Sequence, residues 1–487
     1  MLVKNLLGIS RLSVIELERL RPKLQAYNNE EMDREWLQAV GSLKEKIIVL
    51  DDDPTGIQTV HSIPVYTSWD LETLHEVFND PSKVVYILTN SRALTNLATE
   101  QLHRQLAKSL KQVAKEHQQQ FLLISRSDST LRGHYPLETQ TLYEELGEAI
   151  DGEIIIPFFL EGGRLTVNDV HYVLEGNELI PVGKTEFARD TTFGYNASNL
   201  KEWVAEKTGG LYLAGDVRSI SLEMLRNFDI ESISAILSEV HGFGKVIVNA
   251  VCEEDLKVFV IGLVKAIQHG KRFLFRTAAS FVKIVGGIPY KPLLNSHTLY
   301  PNGKPQIPGL VIAGSHVQKT TRQLKRLHDL PRFIWVELNV PKIVIEDSIE
   351  GEVLRVVSET EQALNDGYDV CIFTSREYFR MNTEAVLSEK NLEFSVKISQ
   401  ALVSVVQRLQ VRPGYLVAKG GITSSDIGVK GLGVKRALVE GQIQPGVPVW
   451  RTGPESRYPG IPYVIFPGNV GDDDALKNVV EILIGID

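Results

Sequence analysis

One alternation in the sequence limits the fold more than any other feature. From Lys46 onward, short apolar runs (IIVL, KVVYILT, QFLLIS, EIIIPF and later KVIVNA) are separated by stretches of helical spacing such as TEQLHRQLAKSLKQVAKEHQQQ. Strands alternating with amphipathic helices imply a parallel sheet with helices on its faces. The stretch NSHTLYPNGKPQIPG, rich in Pro, Gly and Asn, breaks the pattern, which restarts with GLVIAG, FIWVEL, YDVCIFTS and GYLVAKGG. A chain of 487 residues also exceeds what one hydrophobic core usually supports. The expected fold is α/β: two Rossmann-like domains with mainly parallel sheets and an active-site cleft between them. The expected boundaries are a helical N-terminal extension over 1–45, a first domain over 46–295, a linker over 296–308 and a second domain over 309–487.

Composition removes several function classes. A net charge of −9, with no basic run, argues against nucleic acid as a partner. No apolar run approaches the ~20 residues of a membrane helix, and the N-terminus lacks a basic-then-apolar secretory pattern, so the expectation is a cytoplasmic protein without a membrane partner. Cys252 and Cys371 stand apart from any zinc-type spacing and read as core thiols.

In open α/β sheets, ligands bind at the carboxyl ends of strands. Asp51-Asp52-Asp53-Pro54-Thr55-Gly56 follows IIVL there. Three adjacent carboxylates repel one another, so the turn either serves chemistry (a metal, a general base, a hydroxylated ligand) or caps a helix. Ser125-Arg126-Ser127-Asp128-Ser129-Thr130-Leu131-Arg132-Gly133-His134 follows QFLLI and offers guanidinium groups that grip carboxylates bidentately. Glu161-Gly162-Gly163-Arg164 adds another arginine, and Phe187-Ala188-Arg189-Asp190 holds either a fourth or an ordinary structural pair. Three loops of the second half, Ala313-Gly314-Ser315-His316, Lys419-Gly420-Gly421-Ile422-Thr423-Ser424 and Pro467-Gly468-Asn469-Val470-Gly471, each follow an apolar strand. Their unhindered N–H groups suit phosphates. A P-loop fails at Glu178, and a dinucleotide fingerprint fails at Arg436. His61, His134 and His316 show no ligand spacing.

Asp51-x-Asp53-x-Thr55, Thr89-Asn90 and Gly471-Asp472-Asp473-Asp474 together resemble the motifs of haloacid-dehalogenase phosphatases. That reading puts the last motif in the wrong domain and leaves the arginine-rich and glycine loops unused. A non-catalytic nucleotide- or metabolite-binding protein is a third reading.

The full set of clusters resembles the four-carbon acid sugar kinases, which phosphorylate the terminal hydroxyl of threonate, erythronate or 3-oxo-tetronate. The resemblance runs from about Lys46 to the C-terminus. It rests on Asp52-Asp53-Pro54-Thr55-Gly56, Asp128-Ser129-Thr130-Leu131-Arg132-Gly133, FFLEGGRLTVNDVHYV, EFARD and KRFLFRTAASFVKIVGG in the first half. In the second half it rests on Gly314-Ser315 with Lys319-Thr320-Thr321, Gly420-Gly421-Ile422-Thr423-Ser424, QPGVPVW and Gly468-Asn469-Val470-Gly471. Two positions depart from the pattern: Phe466-Pro467 stands where Lys-Ser is frequent, and Ile422 where many members have Glu.

The resemblance implies ATP and Mg²⁺ as cofactors and a small sugar acid as substrate; it leaves the metal ligands unknown and a homodimer open. It implies that Asp52 or Asp53 accepts the hydroxyl proton while its neighbour, with Thr55, Asp128 and Ser129, holds the substrate. Arg126, Arg132 and Arg164 would neutralise the substrate carboxylate, and Ser315, Gly420, Gly421, Ile422, Thr423 and Gly468 would surround the nucleotide.

Overall fold

The structure, a computed structural model, describes residues 12–13, 29–147, 149–303, 306–315, 317–344, 348–376 and 387–486. The chain divides into two compact units, Met1–Gly56 with Ser68–Pro289, and Ile57–Thr67 with Tyr290–Asp487.

The main sheet of the first unit runs in the order Arg218–Ile220, Gly244–Val248, Gly152–Ile156, Phe273–Thr277, Phe121–Arg126, Lys46–Asp51, Val84–Leu88. Every pairing in that series is parallel. Lys46–Asp51 and Val84–Leu88 are buried along their whole length, as strands covered on both faces must be, which is why they read as continuous apolar runs. Amphipathic helices provide the cover. Asn96–Glu116 starts at Thr95, whose hydroxyl accepts from Ala98 N, and buries His103, Leu106, Leu110 and Val113.

Within the predicted N-terminal extension, Asn29–Ser42 is a helix docked on this unit. Trp36 is buried, its indole N–H donates to Ile284 O (3.0 Å), and Asp33 pairs with Lys257 (2.6 Å). Apart from Leu12–Ser13, the remainder of the extension before Asn29 lies outside the described residues. A small antiparallel sheet joins Leu12–Ser13, Glu178–Pro181, Val170–Glu175 and Arg164–Val167.

The second unit orders Phe333–Leu338, Asp369–Thr374, Leu310–Ala313, Leu416–Lys419 and Pro462–Phe466 in parallel. The antiparallel strands Val447–Thr452, Arg436–Gln444 and Ile63–Tyr66 follow. Ile63–Tyr66 comes from the front half of the sequence, so the boundary is not the single cut in 296–308 that composition suggested. Inside that segment, Ser296–Leu299 is helical, and Leu299 packs with Leu294, Val311, Tyr415 and Val480 in the core of this unit. Among the described residues, no helix is long and apolar enough to cross a membrane.

Candidate active site

Register brings the acidic turn and the arginine-rich loop together. Asp51 stands opposite Arg126 on one side and Leu88 on the other, and Arg126 stands opposite Thr277. The segments leaving these strands, Asp52–Gly56, Thr89–Arg92 and Ser127–Gly133, therefore start from one end of the sheet. Gly56 folds back so closely that a Cβ there would lie 2.1 Å from Asp51 Oδ1, which only glycine avoids.

The three carboxylates meet three different environments. Asp51 is 1% exposed and accepts from Arg126 Nη1 (3.1 Å); burial, only partly offset by Arg126, pushes its carboxyl up to about 7. Asp52 is 3% exposed and gripped through both oxygens by Arg92, Nε to Oδ2 at 3.0 Å and Nη2 to Oδ1 at 2.6 Å. Burial raises its carboxyl as well, against the pull of Arg92. Asp53 has a side chain 23% exposed; its Oδ1 accepts from Thr55 N (2.8 Å) and Thr55 Oγ1 (2.6 Å), and its Oδ2 accepts from Arg92 Nη1 (3.3 Å). Burial works against its charge, but Arg92 and the Thr55 bonds outweigh it and hold this carboxyl below the usual range. Asp53 is the one of the three whose carboxyl is held down rather than pushed up, and the one that stays reachable.

Asp128 receives Thr130 N (3.3 Å), the Thr130 hydroxyl and Arg132 Nε (2.9 Å), all on Oδ2. Arg92 and Arg132 hold it well below the usual carboxylate range despite burial. His171 steadies this loop: its Nε2 donates to Ser129 O (2.8 Å) and its Nδ1 accepts from Thr166 Oγ1 (2.9 Å). Burial lowers His171 to about 4, so the ring is neutral in that tautomer. Gly133, at φ +115°, brings the loop beside the acidic turn; a Cβ there would lie 3.4 Å from Asp52 Oδ2. The Arg132 and Arg164 guanidinium carbons lie 5.0 and 5.7 Å from the Phe187 ring centroid, and Arg132 Nη1 is 3.9 Å from Asp190. The tetrad Phe187–Asp190 thus contributes a ring and an acid to this arginine pair, while Arg189 is exposed.

In the second unit, Ala313, Lys419 and Phe466 are register partners on three neighbouring parallel strands, so the three glycine loops leave from one end of that sheet. The loops pack closely, with side chains of one against glycines of the next. A Cβ on Gly314 would lie 2.3 Å from Thr423 Oγ1, one on Gly420 3.1 Å from Ser315 Cβ, and one on Gly468 3.1 Å from Ser315 Oγ. Gly420 takes φ +124°, while a Cβ on Gly421 would meet nothing within 4 Å. Beneath the loops Lys419 is fully buried and donates to Pro467 O (2.6 Å) and Gly468 O (3.3 Å); burial, then Lys319, lowers its amine to about 7. Arg376 donates to Ser315 O (2.7 Å) and Thr321 Oγ1 (2.8 Å). Close-packed glycine loops, the Ser315 and Thr423 hydroxyls, buried Lys419 and half-buried Arg376 gather at this strand end, a setting suited to phosphates.

Comparison with known families matches residues 47–285 to a sugar-binding N-terminal domain and residues 310–476 to a nucleotide-binding C-terminal domain. The chain belongs to the four-carbon acid sugar kinase family. No curated protein matches it. Among solved structures, Haemophilus influenzae protein HI1011 aligns at 17% identity and a TM-score of 0.61, covering 90% of this chain and 100% of its own. A Salmonella typhimurium LT2 protein, provisionally named a tRNA synthase, aligns at 14% identity and 0.63, covering 89% and 98%. At such identities the likeness speaks for the shared two-part α/β fold alone.

Within this family member, the first unit holds Asp52, Asp53, Thr55, Arg126, Asp128, Ser129, Arg132 and Arg164, and the second holds Ser315, Gly420, Gly421, Thr423 and Gly468 in the cradle. Ile422 is 64% exposed on the helix Gly421–Asp426. Arg126 is only 6% exposed and its guanidinium is committed to Asp51 and Asp52 (3.1 and 3.6 Å), so it supports the turn from within. His316 lies outside the described residues. Sequence reasoning missed Arg92, Lys419, Arg376 and Glu138. Glu138 is buried and accepts from Ser91 Oγ at 2.6 Å, with Ser125 and Ser127 Oγ at 3.5 Å. Lys419, in register with Phe466, braces the loop where the frequent Lys-Ser is absent.

Proposed function

We propose that this protein is an ATP-dependent kinase that phosphorylates the terminal hydroxyl of a four-carbon sugar acid of the threonate, erythronate or 3-oxo-tetronate type. The observation that carries this reading is one chain holding, in a sugar-binding domain, a carboxylate fixed by Arg92 together with an arginine pair, Arg132 and Arg164, around Phe187, and, in a nucleotide-binding domain, a glycine cradle.

Phosphoryl transfer needs an oriented hydroxyl, a proton acceptor and donors around the moving group. Asp53 is the proton acceptor, because Asp51 is sealed in and both Asp52 oxygens are occupied by Arg92. Arg132 and Arg164 take the substrate carboxylate, and Asp128 and Ser129 take its hydroxyls. Ser315, Gly420, Gly421, Thr423 and Gly468 face the nucleotide phosphates. Mg²⁺ would shield the phosphate charge. Among the described residues no group of three or more His, Cys, Asp or Glu gathers to hold a metal ion.

The test is incubation of the protein with Mg-ATP and a panel of four-carbon acids, following ADP. Asp53→Asn should lower kcat by at least 10²-fold, the usual scale for losing a general base, with nucleotide affinity intact; unchanged turnover would remove Asp53 from the role. The phosphatase reading requires Asp51 as nucleophile, yet its carboxylate is buried under Gly56. Asp473 and Asp474 are also occupied, by Arg322 (2.8 Å) and Arg326 (2.6 Å). Phosphate release from phosphorylated acids without ATP would revive it, and nucleotide binding without turnover across the panel would favour the binding protein.

A further inference from the structure

Arg92 belongs to none of the motifs that single out the site, yet it touches more of the acidic turn than any residue in them. The strand Val84–Leu88 ends beside Asp51, Asn90 turns through a left-handed conformation (φ 54°), and the short 3-10 turn Ser91–Ala93 carries Arg92 back over the turn. Its backbone N–H donates to Asp52 O (3.3 Å). Its planar guanidinium then spends three N–H groups on two neighbouring carboxylates: Nε and Nη2 on the two oxygens of Asp52, and Nη1 on Asp53 Oδ2. A fork of this kind fixes direction as well as distance, which a lysine cannot do.

We infer that Arg92 is the positioning residue of the transfer reaction: its guanidinium uses Asp52 as an anchor to aim the Asp53 carboxylate. This inference rests on the kinase reading of the site and adds a residue to it. Asp53 is locked from two sides, Thr55 holding Oδ1 and Arg92 holding Oδ2, so its remaining lone pairs have fixed directions at the partly exposed face of the turn. Asp52 gives both oxygens to Arg92 and is nearly inaccessible, which suits an anchor better than a base. The surrounding charges reinforce the geometry. Arg126 sits behind Asp51 and Asp52, Asp51 Oδ1 accepts from Asp53 N (3.4 Å), Asp128 attracts Arg92 from the neighbouring loop, and Glu138 adds negative charge beside Asp52. Of the two guanidiniums near the acids, Arg92 is the one bonded to Asp53, so the ionised state of Asp53 depends chiefly on it.

The experiment compares the full-length wild type with Arg92→Lys and Arg92→Gln on the acid found by the substrate panel, measuring kcat, KM and the pH profile. Arg92→Lys keeps the charge and loses the fork; kcat should fall about 10–100-fold, the scale of a small misplacement of a reacting group, with KM for ATP unchanged. Arg92→Gln removes the charge, so the acidic limb of the kcat profile should move to higher pH by about one to three units, because an adjacent cation depresses a carboxylate by that amount. A residue that merely stabilised the fold would lower the active fraction without moving the limb. Melting temperatures and nucleotide affinity report folding in both variants. The inference is overturned if both variants keep the wild-type kcat and limb. If the wild type transfers phosphate to no acid, the kinase reading fails by itself, and ¹³C NMR of aspartate-labelled protein still decides the role of Arg92: the Asp53 carboxyl must titrate higher in Arg92→Gln, and an unshifted titration rejects the inference.

Discussion

Gly421→Ala separates binding from stability more cleanly than any other change in the cradle. Gly421 opens the helix Gly421–Asp426, its φ is not positive, and a Cβ would meet no atom within 4 Å. The alanine is therefore unstrained, and replacing glycine in a helix contributes up to about 0.5–1 kcal/mol of stability. In a domain of this size that corresponds to a melting temperature unchanged or raised by up to about 2–4 °C. If ATP phosphates approach the backbone here, the same methyl occupies their space, and affinity should fall at least tenfold, about 1.4 kcal/mol. Gly420→Ala is the contrasting variant. Its φ of +124° and Cβ contacts of 3.1 and 3.2 Å to Ser315 Cβ and Thr423 Oγ1 impose strain of about 1–3 kcal/mol, so stability and binding should fall together. Calorimetric titration with a non-hydrolysable ATP analogue, paired with thermal melts, reads both quantities. A Gly421→Ala protein that binds the analogue as tightly as wild type would refute the cradle as the phosphate site.

Two further outcomes follow from buried groups. His171 has its pKa lowered from the ordinary 6.5 to about 4, so the unfolded chain takes its proton first and stability is lost as pH falls from about 6.5 towards 4, by about 3 kcal/mol in all; urea denaturation at pH 7 and 4.5 should show this loss in wild type and a smaller one in His171→Gln. Lys419, lowered to about 7, costs stability most below pH 7 and progressively less as pH rises towards 10.5. Lys419→Met should therefore be at least as stable as wild type at pH 7, lose that advantage by pH 10, and bind nucleotide more weakly because Pro467 O and Gly468 O lose their donor, as melts and titrations at both pH values would show.

The parts of the site that sequence discloses are those with local causes. The Asp51–Gly56 turn, the Ser127–Gly133 loop and the glycine loops each follow a buried strand directly, so strand periodicity locates them before any coordinates exist. Arg92 and Glu138 act across the chain instead. Arg92 lies 40 positions from Asp52, and Glu138 sits on a helix whose buried face looks like core until Ser91, Ser125 and Ser127 are seen around it. Ile63–Tyr66 illustrates the same limit for the fold. A four-residue run between polar turns carries no mark of the sheet it joins, and only pairing with Arg436–Val439 assigns it. Burial is equally silent: Lys419 heads a glycine loop as though solvated, yet its strand position places the amine beneath the loops.

The acidic turn shows why adjacent identical residues need not be equivalent. Asp51 and Asp52 pass into the sheet end, where desolvation outweighs their arginine partners and favours the protonated form. Asp53 keeps contact with water and receives Thr55 and Arg92, so its net balance has the opposite sign. A base must be both charged and reachable, and along these three positions the two properties coincide only at the last. The like-charge repulsion of the triplet is thus relieved from within, since carboxyls that hold protons or share guanidiniums no longer oppose the ionisation of the outermost one. Substituting Asp52 disturbs the anchor and substituting Asp53 removes the acceptor, so the two losses should combine less than additively, as groups acting as one unit do.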